Sequence, residues 1–190
     1  MKPFLIPIIL IALSFTQCSG QTDKFIPPTP EITNSMTQPI EHHKYYSKTD
    51  TSSLKLADEE WKKILPDDLY QIARHANTER AFTGKYWDYE GLGTYYCAAC
   101  GNALFKSDSK FASGCGWPSF YESIRPTSVK YHEDKSYGMI RVEVVCGRCD
   151  SHLGHIFDDG PPPTGKRFCM NSISLDFEGD AEKTPAEKTK

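Results

Sequence analysis

The chain is 190 residues long and carries 22 Lys+Arg against 25 Asp+Glu, a formal net charge of −3. That length suits one ordinary domain with attachments. The near-balanced charge removes the case for a nucleic-acid binder, which needs a basic excess or stripe. A hydrophobic content of 38% with 12% aromatics also excludes collagen-like, coiled-coil and wholly disordered chains.

Lys2 and the uncharged run Phe4–Phe15 (FLIPIILIALSF) head the chain. Twelve such residues fit the apolar core of an export signal and fall short of the ~20 that a membrane-spanning helix needs. Pro3 and Pro7 argue against a buried helix. Cys18 follows directly, in a setting that resembles the lipidation site of bacterial lipoproteins. Gln17 stands where a small residue is usual, and Phe15 where Leu is usual. The resemblance implies a signal over residues 1–18 and a lipidated Cys18 that anchors an exported protein to a membrane of a bacterial cell envelope. The alternative is cleavage nearby and a soluble periplasmic or secreted protein. Residues 19–53 are rich in Ser, Thr and Pro with few large apolar side chains, which predicts a flexible tether. As a coil it spans roughly 30–35 Å. The charged segment 178–190 reads as a flexible tail, leaving 54–177 as the folded domain.

Within that domain, Trp61, Ile64 and Leu65 recur at helical spacing from Asp58 until Pro66 interrupts them. Asp67 and Asp68 open a second short helix carrying Leu69, Ile72, Ala73 and Ala76. Eleven glycines then fall between Gly84 and Gly165, separating short runs rich in Val, Ile, Tyr and Phe. In Met139–Cys146, residues Ile140, Val142, Val144 and Cys146 form one face, with Arg141 and Glu143 on the other. In Cys169–Phe177, the alternate residues Cys169, Asn171, Ile173, Leu175 and Phe177 predict a second strand. The pattern is two small helices followed by an antiparallel β domain. Trp61 and Trp87 read as packing residues, and His75 and His132 belong to no motif.

Seven cysteines are the most informative count. Cys97-Ala98-Ala99-Cys100 and Cys146-Gly147-Arg148-Cys149 are two C-x-x-C units, each able to aim two sulfurs at one point. Four thiolates suit a closed, structural Zn²⁺ site. Disulfides, common in exported proteins, and redox-active pairs are the competing readings. Apart from Cys18, two cysteines remain. Cys115 sits between Gly114 and Gly116 in SGCGWPSF, and Cys169 sits beside Arg167 and Asn171 in RFCMN. They read either as a plain structural disulfide or as reactive thiols, since a nearby arginine and a polar amide suit a low thiol pKa and a polar substrate. His152 and His155 follow the second cysteine pair and suit an acid–base step. Zinc ligation or simple exposure is the competing reading for them, as core packing is for Trp117.

At these residues the sequence resembles the type B peptide-methionine (R)-S-oxide reductases. The matching stretches are ERAFTGK (79–85), Cys97–Cys100, SGCGWPSF (113–120), CGRCDSHLGHIFDD (146–159) and GKRFCMNSISL (165–175). The resemblance implies two antiparallel β-sheets flanked by small helices, with zinc held by Cys97, Cys100, Cys146 and Cys149 away from the active site. It implies Cys169 as nucleophile and Cys115 as resolving cysteine. Trp117 packs on the substrate methyl group, and His152, His155, Arg167, Asn171 and Asp159 are site polar residues. Phe168 departs from the tyrosine or histidine often found there. The expected reaction reduces methionine-R-sulfoxide, preferably in oxidised proteins, through a sulfenic acid and a disulfide that a thioredoxin-like dithiol resets. A zinc-stabilised binding module and a general thiol oxidoreductase are the rival functions.

Overall fold

The computed structural model describes residues 42–180. The export run, Cys18 and residues 181–190 lie outside the described residues.

Helix α1 (Asp58–Ile64) opens on three acids and closes on Lys62 and Lys63, the favourable arrangement for the helix dipole. It stops because Leu65 precedes a proline and takes extended geometry. Helix α2 (Asp67–His75) starts on Asp67 and Asp68 and ends at Ala76 in a left-handed conformation. Trp61, Leu69, Tyr70, Ile72 and Ala73 are the buried residues of the pair.

Nine strands follow: β1 (Gly93–Cys97), β2 (Ala103–Lys106), β3 (Lys110–Phe111), β4 (Ser119–Phe120), β5 (Val129–Asp134), β6 (Arg141–Cys146), β7 (His152–Phe157), β8 (Arg167–Met170) and β9 (Leu175–Gly179). They form two antiparallel sheets, one ordered β2-β1-β9 and the other β3-β4-β8-β7-β6-β5. The molecule is thus mainly β with two small N-terminal helices, the expected fold class. Tyr95, Leu104 and Phe105 of the smaller sheet share one hydrophobic cluster with Phe120, Val144, Leu153 and Met170 of the larger. Phe105 and Phe120 stack at 4.4 Å within it.

Two strand expectations need correction. The face Ile140, Val142, Val144, Cys146 is buried only at its end, because the hydrophobic cluster reaches Val144 and Cys146 and stops short of the others. Ile140 is 79% exposed and Val142 43%. The run Cys169–Phe177 is not one strand. A 3-10 turn at Ser172–Ser174 breaks it, so that β8 lies in the larger sheet and β9 in the smaller. The Glu79 carboxylate accepts the backbone N–H groups of Ser172 (2.6 Å) and Ile173 (3.1 Å), which removes both from any strand ladder.

The folded body also reaches beyond 54–177 at both ends. β9 continues through Glu178 and Gly179, paired with Thr94 and Gly93. Residues 42–53 form a strap: Ser47 N–H donates to Cys100 O, Tyr46 hydroxyl donates to the Asp176 carboxylate, and Leu54 N–H donates to Arg148 O. Composition hid this strap because its bonds are polar and run to distant residues.

Candidate active site and cysteine centre

Each C-x-x-C unit folds as a tight knuckle. Gly101 N–H returns to Cys97 O at 2.8 Å, and Asp150 N–H returns to Cys146 O at 3.0 Å. The residue after each second cysteine is left-handed, Gly101 at φ 80° and Asp150 at φ 58°. Glycine adopts that conformation freely, and aspartate tolerates it better than most residues. The four sulfurs are buried and lie within 4.8 Å of one another. Two of the separations are 3.8 Å (Cys97–Cys149) and 3.6 Å (Cys100–Cys146). A disulfide requires about 2.05 Å, whereas the edge of a tetrahedron with ~2.3 Å metal–sulfur bonds is ~3.8 Å. The donor set therefore fits a closed tetrathiolate metal site. Arg148, 4% exposed, clamps the strap over it, donating to Cys100 O, Tyr45 O and the Asp50 carboxylate.

A second cysteine pair lies apart from this centre, built from register. Ser119 opposes Cys169, Cys169 opposes His155, His155 opposes Glu143 and Glu143 opposes His132. Residues directly opposed across a sheet project from the same face, so one row carries a thiol, two imidazoles and a carboxylate. Gly154 permits the β7–β8 approach, since a Cβ there would sit 2.1 Å from Cys169 O. The loop between β3 and β4 delivers Cys115, whose Sγ is 3.5 Å from that of Cys169. Gly116, at φ 89°, passes so close to Phe82 that a Cβ would meet its ring at 2.9 Å.

A small cavity of about 100 Å³ opens beside Cys169, with Trp117, His155, Asn171, Thr78, Arg141 and Phe157 among its walls. The Trp117 indole is fixed by donating to Glu79 O at 3.2 Å. A register shift between Val144 and Val145 of β6, against β7, breaks the strand alternation. His152 and His155, three apart, thereby come together with ring centroids 5.5 Å apart. Each is held by an acid: His152 Nδ1 donates to Glu143 at 2.6 Å, and His155 Nε2 donates to Asp134 at 2.8 Å.

The SelR domain model matches residues 65–179. The peptide methionine sulfoxide reductase MsrB of Herminiimonas arsenicoxydans is 52% identical over 128 residues, covering 67% of this chain and 93% of that protein. The MsrB of Methanosarcina barkeri is 52% identical over 136 residues, covering 72% and 96% respectively. That of Thiobacillus denitrificans is 55% identical over 120 residues, covering 63% and 91%. The chain belongs to the SelR family of MsrB peptide methionine sulfoxide reductases.

The two thiols of the second cysteine pair, Cys115 and Cys169, share one acidity. Burial raises the Cys115 thiol, but hydrogen bonds at Ser113, Ser119, the Trp117 backbone and Cys169 outweigh it and bring it down to about 7. Cys169 is pushed up to about 12, by burial first and then by the charge and hydrogen bond of Cys115, against the pull of Arg167. Two thiols this close titrate as a pair. The first proton leaves easily, its charge resting on Cys115, and the second is held. The expected lowering of the Cys169 pKa by its neighbouring arginine thus meets a larger opposing effect from burial and Cys115.

Not every expected site residue of the MsrB chain reaches the cavity. Arg167 forms a two-bond pair with Asp159 at 2.8 and 2.9 Å and lies over the Phe157 ring. Asp159 is thus the partner of Arg167 and does not line this cavity. His152 lines a neighbouring pocket shared with His155. Burial lowers the pKa of His152 against the influence of Glu143. Asn171, 2% exposed, does line the cavity and is braced there, accepting from Glu79 N–H and donating to Leu153 O. Sequence reasoning passed over Thr78, Glu79, Asp134, Arg141 and Glu143 as site residues. The polar face of β6, Arg141 and Glu143, was the available signal for two of them.

Proposed function

We propose that this chain reduces the R epimer of methionine sulfoxide, preferably within oxidised proteins, with Cys169 as nucleophile. The observation that carries the reading is the Cys115–Cys169 pair, 3.5 Å apart, with Cys169 on the wall of a cavity that Trp117 shares. Cys169 attacks the sulfoxide sulfur while an acid, His155, protonates the oxygen. Methionine leaves and Cys169 becomes a sulfenic acid. The Cys115 thiol condenses with it, releasing water and forming a disulfide. An external thioredoxin-like dithiol reduces that bond and is itself oxidised to a disulfide. The apolar face of Trp117 receives the substrate methyl group.

The low acidity of Cys169 favours a second reading, in which Cys115 attacks and Cys169 resolves. The cavity opposes it, because Cys169 lines the space and Cys115 does not. In the first reading, the Cys115 thiolate, 3.5 Å away, accepts the Cys169 proton as attack begins.

Cys97, Cys100, Cys146 and Cys149 hold one Zn²⁺ per chain in this reading, as a structural cross-link between the β1–β2 and β6–β7 knuckles. The protein is exported under the signal of residues 1–18 and anchored through lipidated Cys18 to a membrane of the cell envelope. Its reductant is therefore a dithiol of the envelope.

Turnover of separate R and S epimers of a methionine-sulfoxide peptide with excess dithiol tests the reading. R-only turnover, lost in Cys169→Ser and retained in Cys115→Ser, is expected. The opposite pattern assigns attack to Cys115, and no turnover by folded, zinc-loaded protein leaves a zinc-stabilised binding module.

A further inference from the structure

His155 faces Cys169 across the β7–β8 ladder, and its Nε2 is spoken for by Asp134 Oδ2. The same oxygen accepts from Arg141 at 2.6 Å, and Asp134 and Arg141 directly oppose each other in the β5–β6 register. Asp134 Oδ1 is held in turn by Ser136 N–H at 2.8 Å. The bonds from Ser136, followed by those of His155 and Arg141, keep the Asp134 carboxyl well below the usual carboxylate range. Arg141 itself lines the substrate cavity.

We propose that Asp134 and Arg141 are a positioning pair that sets the tautomer and the proton affinity of His155, the acid of the reductase reading on which this inference rests. With Nε2–H committed to Asp134, the proton the ring surrenders leaves from Nδ1. The carboxylate stabilises the imidazolium, as a carboxylate behind a catalytic histidine does elsewhere. Arg141 shares the accepting oxygen and so weakens that stabilisation.

Other charged groups surround His155, but none repeats this arrangement among the described residues. Glu143 on β6 bonds to His152 and sits 3.5 Å from His132. His152 lies beside His155 on β7, and Cys169 faces it from β8. Glu133 and Lys135 flank Asp134 and pair with each other at 2.8 Å, and His75 of α2 lines the same outer pocket. The two histidines therefore differ in kind: His152 is buried against Glu143, while His155 bonds an acid shared with a cation and reaches the substrate cavity.

The test pairs a pH profile of R-sulfoxide turnover, at saturating dithiol, with NMR titration of the His155 ring, its signal assigned through His155→Gln. The acid form does the work, so turnover falls as pH rises through the titration of His155. Asp134→Asn removes a negative charge beside the ring and moves both the alkaline limb and the NMR midpoint down by about one pH unit. Arg141→Gln removes a positive charge and moves both upward. Asp134→Glu keeps the charge and leaves the limb near its wild-type place. Opposite shifts in the first two variants, with cooperative melting retained, support the pair. Unchanged midpoints, or shifts of the same sign, with wild-type turnover intact overturn the pair alone. Absence of sulfoxide turnover in folded wild type overturns the reductase reading itself.

Discussion

Glu79 touches neither thiol yet braces the site through four hydrogen bonds. Its carboxylate accepts the N–H groups of Ser172 and Ile173, its N–H donates to Asn171 Oδ1, and its carbonyl receives the Trp117 indole. Glu79→Ala leaves the two backbone bonds in place and removes the two carboxylate bonds. A hydrogen bond to a charged group contributes about 1.5–3 kcal/mol, and the half-buried position lets water replace part of that, so a total loss of about 3 kcal/mol is expected. At about 3 °C per kcal/mol for a body of this size, the melting temperature falls by about 10 °C. Glu79→Gln keeps one accepting oxygen and falls by about half as much. The Ser172 turn begins three residues after Cys169, so kcat/KM for sulfoxide falls along with stability. Thermal melts of both variants beside wild type decide the matter. A Glu79→Ala melt within 2 °C of wild type would refute the reasoning and show that the turn holds itself through its own Ser174-to-Asn171 bond.

Three further outcomes follow from the same geometry. Cys115 becomes a thiolate as pH rises through about 7, so its alkylation by iodoacetamide, read by peptide mass spectrometry, climbs through that pH. Cys115→Ser removes the neighbouring charge and makes Cys169 more acidic, while burial still holds it above an ordinary thiol; a Cys169 alkylation profile unmoved by the substitution would contradict this. Stripping the metal with a strong chelator, or Cys97→Ser, lowers the melting temperature and exposes the strap at residues 44–53 to protease, because Ser47 and Arg148 both anchor on the Cys100 knuckle. Protein that contains no zinc as isolated, and melts the same with chelator, refutes it. Gly154→Ala forces a methyl group to within 2.1 Å of Cys169 O and should cut kcat/KM at least about tenfold as β7 and β8 separate; retained turnover would mean that the ladder yields without moving Cys169.

Sequence pattern and structure agree where the chain obeys a local rule. Both helices start on acids, as the dipole argument expects, and the first stops ahead of Pro66; Ala76, expected within the second helix, is instead its exposed, left-handed cap. The C-x-x-C units brought four sulfurs together because a tight knuckle needs only four residues and one permissive conformation. The two diverge where distant residues override the local pattern. The alternation of Cys169–Phe177 looks like one strand because nothing within it reveals that Glu79, some ninety residues earlier, takes its N–H groups at the break. The strap looks like tether because its anchors, Cys100, Arg148 and Asp176, are equally remote.

The same distinction separates the two halves of the cysteine count. A metal centre asks only that four donors converge, so spacing suffices to suggest it. The Cys115–Cys169 pair and its neighbours depend on which residues oppose one another across five strands, and on a register shift that period-2 alternation does not foresee. That shift brings His152 beside His155, leaving each with its own carboxylate. Asp134 and Arg141, the residues that make His155 different from His152, occupy facing ends of β5 and β6, seven positions apart around a turn. As a sequence they are an ordinary charged pair at a hairpin. The proposed role comes from the fold, where the strand beyond them sets His155 against Cys169.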